Sequence, residues 1–242
     1  MGGTVYLTDE RLQLSRGLVR DAEPRNIFGY NSAIGTSFIA GWENNVAYVY
    51  PETALTMTAV SDSTSDTAVT IRVIGLDANY DVIATNATLN GTTPVTLSIP
   101  FFRINDVITI SGNAVGNVTI ANNTTTYAKI NAGTGKNQAS IFTVPAGHEF
   151  HLYRIDAFCA SAAQNNRIVF FRNFVRQPNG VVLQVAQTSF LEIMSIQRRI
   201  PFRYGEKTDI QLQLRGSAGA QEIGVFAEGI LTKVPRTSVL SG

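Results

Sequence analysis

His148 and His151, with Glu149 beside the first in an H-E-x-H run, are the side chains that come nearest to a metal site. A zinc-protease helix sets its two histidines one turn apart, so that both reach one ion. In a strand, residues three apart point to opposite faces. The surrounding HEFHLYRI is strand-like, so the spacing predicts no shared metal, and we expect neither a metal nor a cofactor. Carboxylates pair at Asp77/Asp81 and Glu206/Asp209, but both pairs flank turns, where Asp bonds the local backbone. Ser and Thr are abundant, yet there is no G-x-S-x-G elbow with a His-bearing partner loop. No glycine loop follows a strand and opens a helix. Cys159, the single cysteine, follows Phe158 in an apolar run and reads as a buried, inert thiol. The Asn-x-Ser/Thr triplets at Asn86, Asn90, Asn117, Asn122 and Asn123 accord with chance in an Asn- and Thr-rich chain. These residues assemble no catalytic set, and we expect a protein that is not an enzyme.

Composition narrows the class. Of the 242 residues, 44% are hydrophobic and only 15% are charged, with a formal net charge of +1. Thr, Asn, Ser, Gly and Val take the place of Lys and Glu, which suits strands and tight turns. The densest basic group, Arg198, Arg199, Arg203 and Lys207, is too sparse to track a phosphate backbone. We therefore expect no nucleic-acid partner. No apolar run approaches the roughly 20 residues that span a bilayer. Met1-Gly2-Gly3 does not open a basic stretch followed by an apolar core. The expectation is a protein made in the host cytoplasm with no membrane partner. A low-charge surface defends weakly against association, so neighbours in an assembly are expected to cover much of it.

The elements follow from period-two patterning. Residues 137–158, NQASIFTVPAGHEFHLYRIDAF, read as two strands joined by Pro145-Ala146-Gly147, the second a central strand of a sandwich. Leu55, Met57 and Ala59 share one face, as do Val69, Ile71 and Val73. Asn90-Gly91 predicts a hairpin returning through Val95, Leu97 and Ile99, and Pro178-Asn179-Gly180 predicts another. IQLQL places Ile210, Leu212 and Leu214 inward and Gln211 and Gln213 outward. The fold class expected is all-β: an extended N-terminal arm over 1–50, an immunoglobulin-like sandwich over 51–122, a jelly-roll-like sandwich over 123–235 and a tail over 236–242. The lead from Thr4 to Leu18 lacks a helical face and reads as extended. The arm also carries rings set among glycines, and Phe28, Tyr30, Phe38 and Trp42 are its candidate interface residues. The competing expectation is that they cover their own sheet.

The segments IRVIGLDANYDVIATNATLNGTTPVTL, FFRINDVITISG, IFTVPAGHEFHLYRI, IPFRYGEKTDIQLQLR and GVFAEGILT, in that order, resemble structural proteins of tailed bacteriophages of the cyanophage and marine-phage type. The resemblance spans roughly residues 27 to 233 and carries strand and turn patterns, with no catalytic residues to transfer. It implies a non-enzymatic virion component, foremost a capsid decoration or cement protein on the head. The alternative is a neck, tail or fibre subunit with a host-surface or glycan-binding role. The partners implied are other virion proteins (major capsid, tail or neck) and further copies of the chain, with a trimer as first guess.

Overall fold

The computed structural model describes residues 10–160 and 168–234. Runs rich in Val, Ile, Thr and Phe form strands, and Gly, Pro and Asn form the turns between them. In chain order the elements begin with α1 (Glu10–Ser15), β1 (Ala22–Ile34), β2 (Ile39–Ala40), β3 (Thr58–Ser61), β4 (Thr70–Leu76) and β5 (Val82–Thr88). They continue with β6 (Val95–Thr96), β7 (Arg103–Ser111), β8 (Val118–Asn122), β9 (Thr125–Ile130) and β10 (Ile141–Thr143). The remainder are β11 (His148–Cys159), β12 (Val169–Arg176), β13 (Val182–Phe190), β14 (Ile193–Tyr204), β15 (Asp209–Gly216) and β16 (Gln221–Lys233). The protein is all-β, built from antiparallel sheets. α1 corrects the extended lead: the N–H of Leu18 bonds Gln13 and that of Gly17 bonds Leu14, with Gly17 at φ 69°. That Schellman stop closes a single turn.

Two sheets, ordered β1-β16-β11-β14 and β10-β15-β12-β13, enclose a first core. Ile27, Phe150, Phe171, Ile210, Leu212 and Val225 are buried there. β2 continues the line of β10 along β15. Two further sheets, β6-β3-β8-β9 and β5-β4-β7, enclose a second core around Met57, Ile71, Val73, Leu97, Phe101 and Ile120.

The expected divisions of the chain shift accordingly. β1 is not a detached arm. It pairs with β16 from Ala22↔Thr232 to Ile34↔Gln221 and buries Ile27 and Ile34. Pro24, Gly29 and the asparagines had broken the alternation that would have shown it. Gly29 is required, because a Cβ there would lie 2.4 Å from the carbonyl oxygen of Gly41 and 2.5 Å from Cβ of Ser140. The boundary expected at 122/123 falls instead in a hairpin. β9 pairs with β8, Asn123 takes φ 51° at the tip, and Tyr127, Ala128 and Ile130 join the second core. The chain leaves the first sandwich at Gly41 and returns at Ser140. Those residues touch: Ser140 N–H donates to the Gly41 carbonyl at 2.9 Å, and Gly41 N–H to Ser140 Oγ at 2.7 Å. One sandwich is thus inserted between the first strands of the other, with the two ends of the insert side by side, as tolerated insertions require.

Three finer expectations also change. An immunoglobulin domain keeps its first two strands in one sheet, whereas β3 and β4 lie in different sheets here. Gly91 makes its tight turn at φ 57°, but β5 and β6 on either side of it belong to different sheets, so Asn90-Gly91 turns a sandwich corner and not a hairpin. Gln211 and Gln213 are buried, because the inserted sandwich closes over that end of β15. The Pro178-Asn179-Gly180 hairpin joins β12 to β13 with Gly180 at φ 82°. β11 is a central strand flanked by β16 and β14.

Candidate interaction surface

The four candidate rings do not gather into one patch. Phe28 and Tyr30 lie two apart on β1, half-buried on one face, with Phe28 opposite Phe226. The Tyr30 hydroxyl donates to the Glu222 carboxylate. That bond, ahead of burial, pushes its pKa up to about 12, so the phenol stays protonated at neutral pH. Phe38 precedes β2 and lies half-buried against Arg172 and Arg215. Trp42 is only 2% exposed. It packs edge-on to Tyr48 at 5.3 Å in the second core, and its Nε1 donates to the Val46 carbonyl at 2.9 Å. Trp42 therefore covers its own chain, which corrects its selection as an interface residue.

The strongest electrostatic feature joins the two sandwiches. Arg103 on β7 and Asp209 on β15 are 2% and 3% exposed and form a bidentate pair, Nε to Oδ1 at 2.9 Å and Nη2 to Oδ2 at 3.1 Å. Arg103 Nη1 donates to the carbonyls of Pro51 and Phe102, and Thr143 Oγ1 donates to Asp209 at 2.7 Å. The guanidinium also stacks on Phe102 at 4.0 Å and Tyr50 at 4.7 Å. Burial disfavours the cation, but the Asp209 bonds outweigh it and raise the pKa of Arg103. Burial likewise raises Tyr50 and Tyr48. Every strong hydrogen-bonding group of the pair faces a partner, which is what a buried charge pair needs to persist. Sequence reasoning placed Asp209 at a turn and passed over Arg103. A lone Arg before an alternating run gives no local sign of a partner 106 positions away.

The histidines point elsewhere than to a common site. His148 Nδ1 lies 2.8 Å from the Ala146 carbonyl, and His151 Nε2 lies 3.2 Å from Thr232 Oγ1. Among the described residues no three His, Cys, Asp or Glu side chains gather around one point. Glu149 is instead bound by Arg203 in a bidentate ion pair, which lowers its pKa.

Seven of the exposed large apolar side chains lie on or beside β13 and β14 of the first sandwich. β13 and β14 are the last strands of their sheets. Val181, Val182, Leu183 and Val185 are exposed on or beside β13, and Leu191, Ile193 and Ile200 on or beside β14, with Ile200 at 78%. Residues 177 to 191 contain no Asp, Glu, Lys or Arg. Edge strands of solitary domains carry charges or prolines that deter pairing. The one such device on β13 is a bulge at Val185. The signal was present in the sequence as a run of uncharged residues, but a run alone does not separate an edge strand from a buried one.

Comparison with protein-family models, with curated proteins and with solved structures finds no match.

Proposed function

We propose that the protein is a non-enzymatic structural component of a tailed-phage virion, foremost a decoration subunit on the capsid head. The observation that carries this reading is the strand order of the first sandwich. Numbered one to eight, β1, β10, β11, β12, β13, β14, β15 and β16 pair as a nested hairpin: one with eight, two with seven, three with six and four with five. The further ladders three–eight and four–seven fold that hairpin into two sheets. We read this order as that of a jelly roll, an architecture that recurs in viral capsid domains. The first strand of that roll is β1, which lies in the stretch expected to be an arm, ahead of the 123–235 expected for this sandwich.

The uncharged edge supports an assembled state. Among the described residues no strand pairs with the outer edge of β13, which offers exposed aliphatic side chains without a repelling charge, and a second copy can meet it without burying an ion. The contact proposed between copies is therefore this edge in place of Trp42, with a trimer as the working stoichiometry. Protein counting by mass spectrometry on purified particles tests the role. Copies on the order of hundreds per particle are expected of a head subunit repeated by symmetry. Absence from purified particles would overturn the virion role, and about a dozen copies would overturn the head location.

A further inference from the structure

Arg172 on β12 and Arg215 on β15 lie on the outward face of the second sheet, on neighbouring strands. Both guanidiniums approach Phe38, at 4.3 Å and 5.0 Å from its ring centre. Arg172 is also 5.0 Å from Phe174, and Arg215 is 4.0 Å from Phe170. Two like charges thus converge on one ring. Arg25, Arg103, Arg154 and Arg203 each have a carboxylate within ion-pair distance. Among the described residues neither Arg172 nor Arg215 forms such a pair, and Arg172 Nε instead donates to Gln213 Oε1 at 2.6 Å. Burial, and then the charge of Arg215, hold the pKa of Arg172 below the ordinary guanidinium value. Residues 161–167, which lead towards β12, contain no acidic side chain.

We propose that this pair is a docking point for one or two carboxylate side chains on an acidic segment of a neighbouring polypeptide. A carboxylate between the two guanidiniums offsets their repulsion, and the planar fork of each matches it bidentately. Phe38 is already stacked by the cations, so guanidinium edges, not ring faces, are what the surface offers. Two cations are too few for a polyanion, whose affinity comes from many neutralised charges. The surface stands on its own geometry and does not depend on the particle role.

The full chain is titrated at low salt with an oligoglutamate peptide, with an uncharged oligothreonine peptide and with a heparin fragment. The wild type binds oligoglutamate, and the double variant Arg172→Gln/Arg215→Gln binds it at least about tenfold more weakly. Oligothreonine binds neither. The melting temperature of Arg215→Gln alone stays level or rises, because a repulsion and not an ion pair has been removed. Equal binding by wild type and double variant, no binding of oligoglutamate, or heparin binding without oligoglutamate binding would overturn the proposal. So would a sharp fall in the melting temperature of Arg215→Gln, which would make the pair part of the folded framework.

Discussion

Arg103 and Asp209 show how much one buried pair can decide. With both groups nearly inaccessible, removing one leaves the other as an uncompensated buried charge. Asp209→Ala should therefore cost about 3–5 kcal/mol in chemical denaturation. A cost near zero would mean that water or another cation reaches the site. Asp66 gives a pH signature of known sign. Burial raises its pKa, but hydrogen bonds from Ser61 Oγ and from the N–H groups of Val115 and Gly116 outweigh it, and the net shift is downward. A depressed folded-state pKa contributes stability above the unfolded value of about 3.9 and loses it as pH falls through the folded one. Asp66→Asn should thus be less stable than wild type at neutral pH, and the gap should close as the solution is acidified below the ordinary carboxylate range. A gap independent of pH would assign the effect to packing. At this scale the sequence was legible where alternation is local: Val69, Ile71 and Val73 are buried as read. It was silent on Arg103, and it misplaced Gln211 and Gln213, because what covers them is brought in from a distant part of the chain.

Among the elements, the crossing of β1, the chain at Gly41 and the start of β10 is the tightest point. Gly29 has no room for a methyl group against Gly41 and Ser140, where the obstructing atoms include backbone. Gly29→Ala should cost about 1–3 kcal/mol through displaced backbone, measured by thermal unfolding. An unchanged melting temperature would show that the crossing relaxes freely. The edge strand β13 makes the opposite kind of prediction. Leu183 is 41% exposed, so Leu183→Lys should leave the monomer's unfolding free energy within about 0.5 kcal/mol of wild type while lowering the mass of the assembled species in light scattering. Retention of the oligomer would locate the subunit contact elsewhere. The turns at Pro145-Ala146-Gly147 and Pro178-Asn179-Gly180 were readable because each needs a specific backbone conformation that Gly supplies. Asn90-Gly91 carried the same local signal, yet the strands beside it part to different sheets. Turn chemistry fixes the reversal, not the partners.

For the whole molecule, the pairing of β1 with β16 joins residues about 200 positions apart. No period or turn signal reaches that far, and so the first strand of the first sandwich read as an arm. The strands around Pro145-Ala146-Gly147 and Pro178-Asn179-Gly180 and the IQLQL strand were legible, but their sheet order, and the insertion of one sandwich into the other, came only with the fold. The account that results is of a packed framework with an uncharged edge strand, β13, which we propose a neighbour covers in a particle. Hydrogen exchange of residues 182–190 tests that most directly, comparing the free subunit with the subunit in purified particles. The account predicts that the outward amides of β13 exchange freely in the dilute subunit and become strongly protected in the particle. Equal exchange in both states, or a failure to find the chain in purified particles at all, would contradict it.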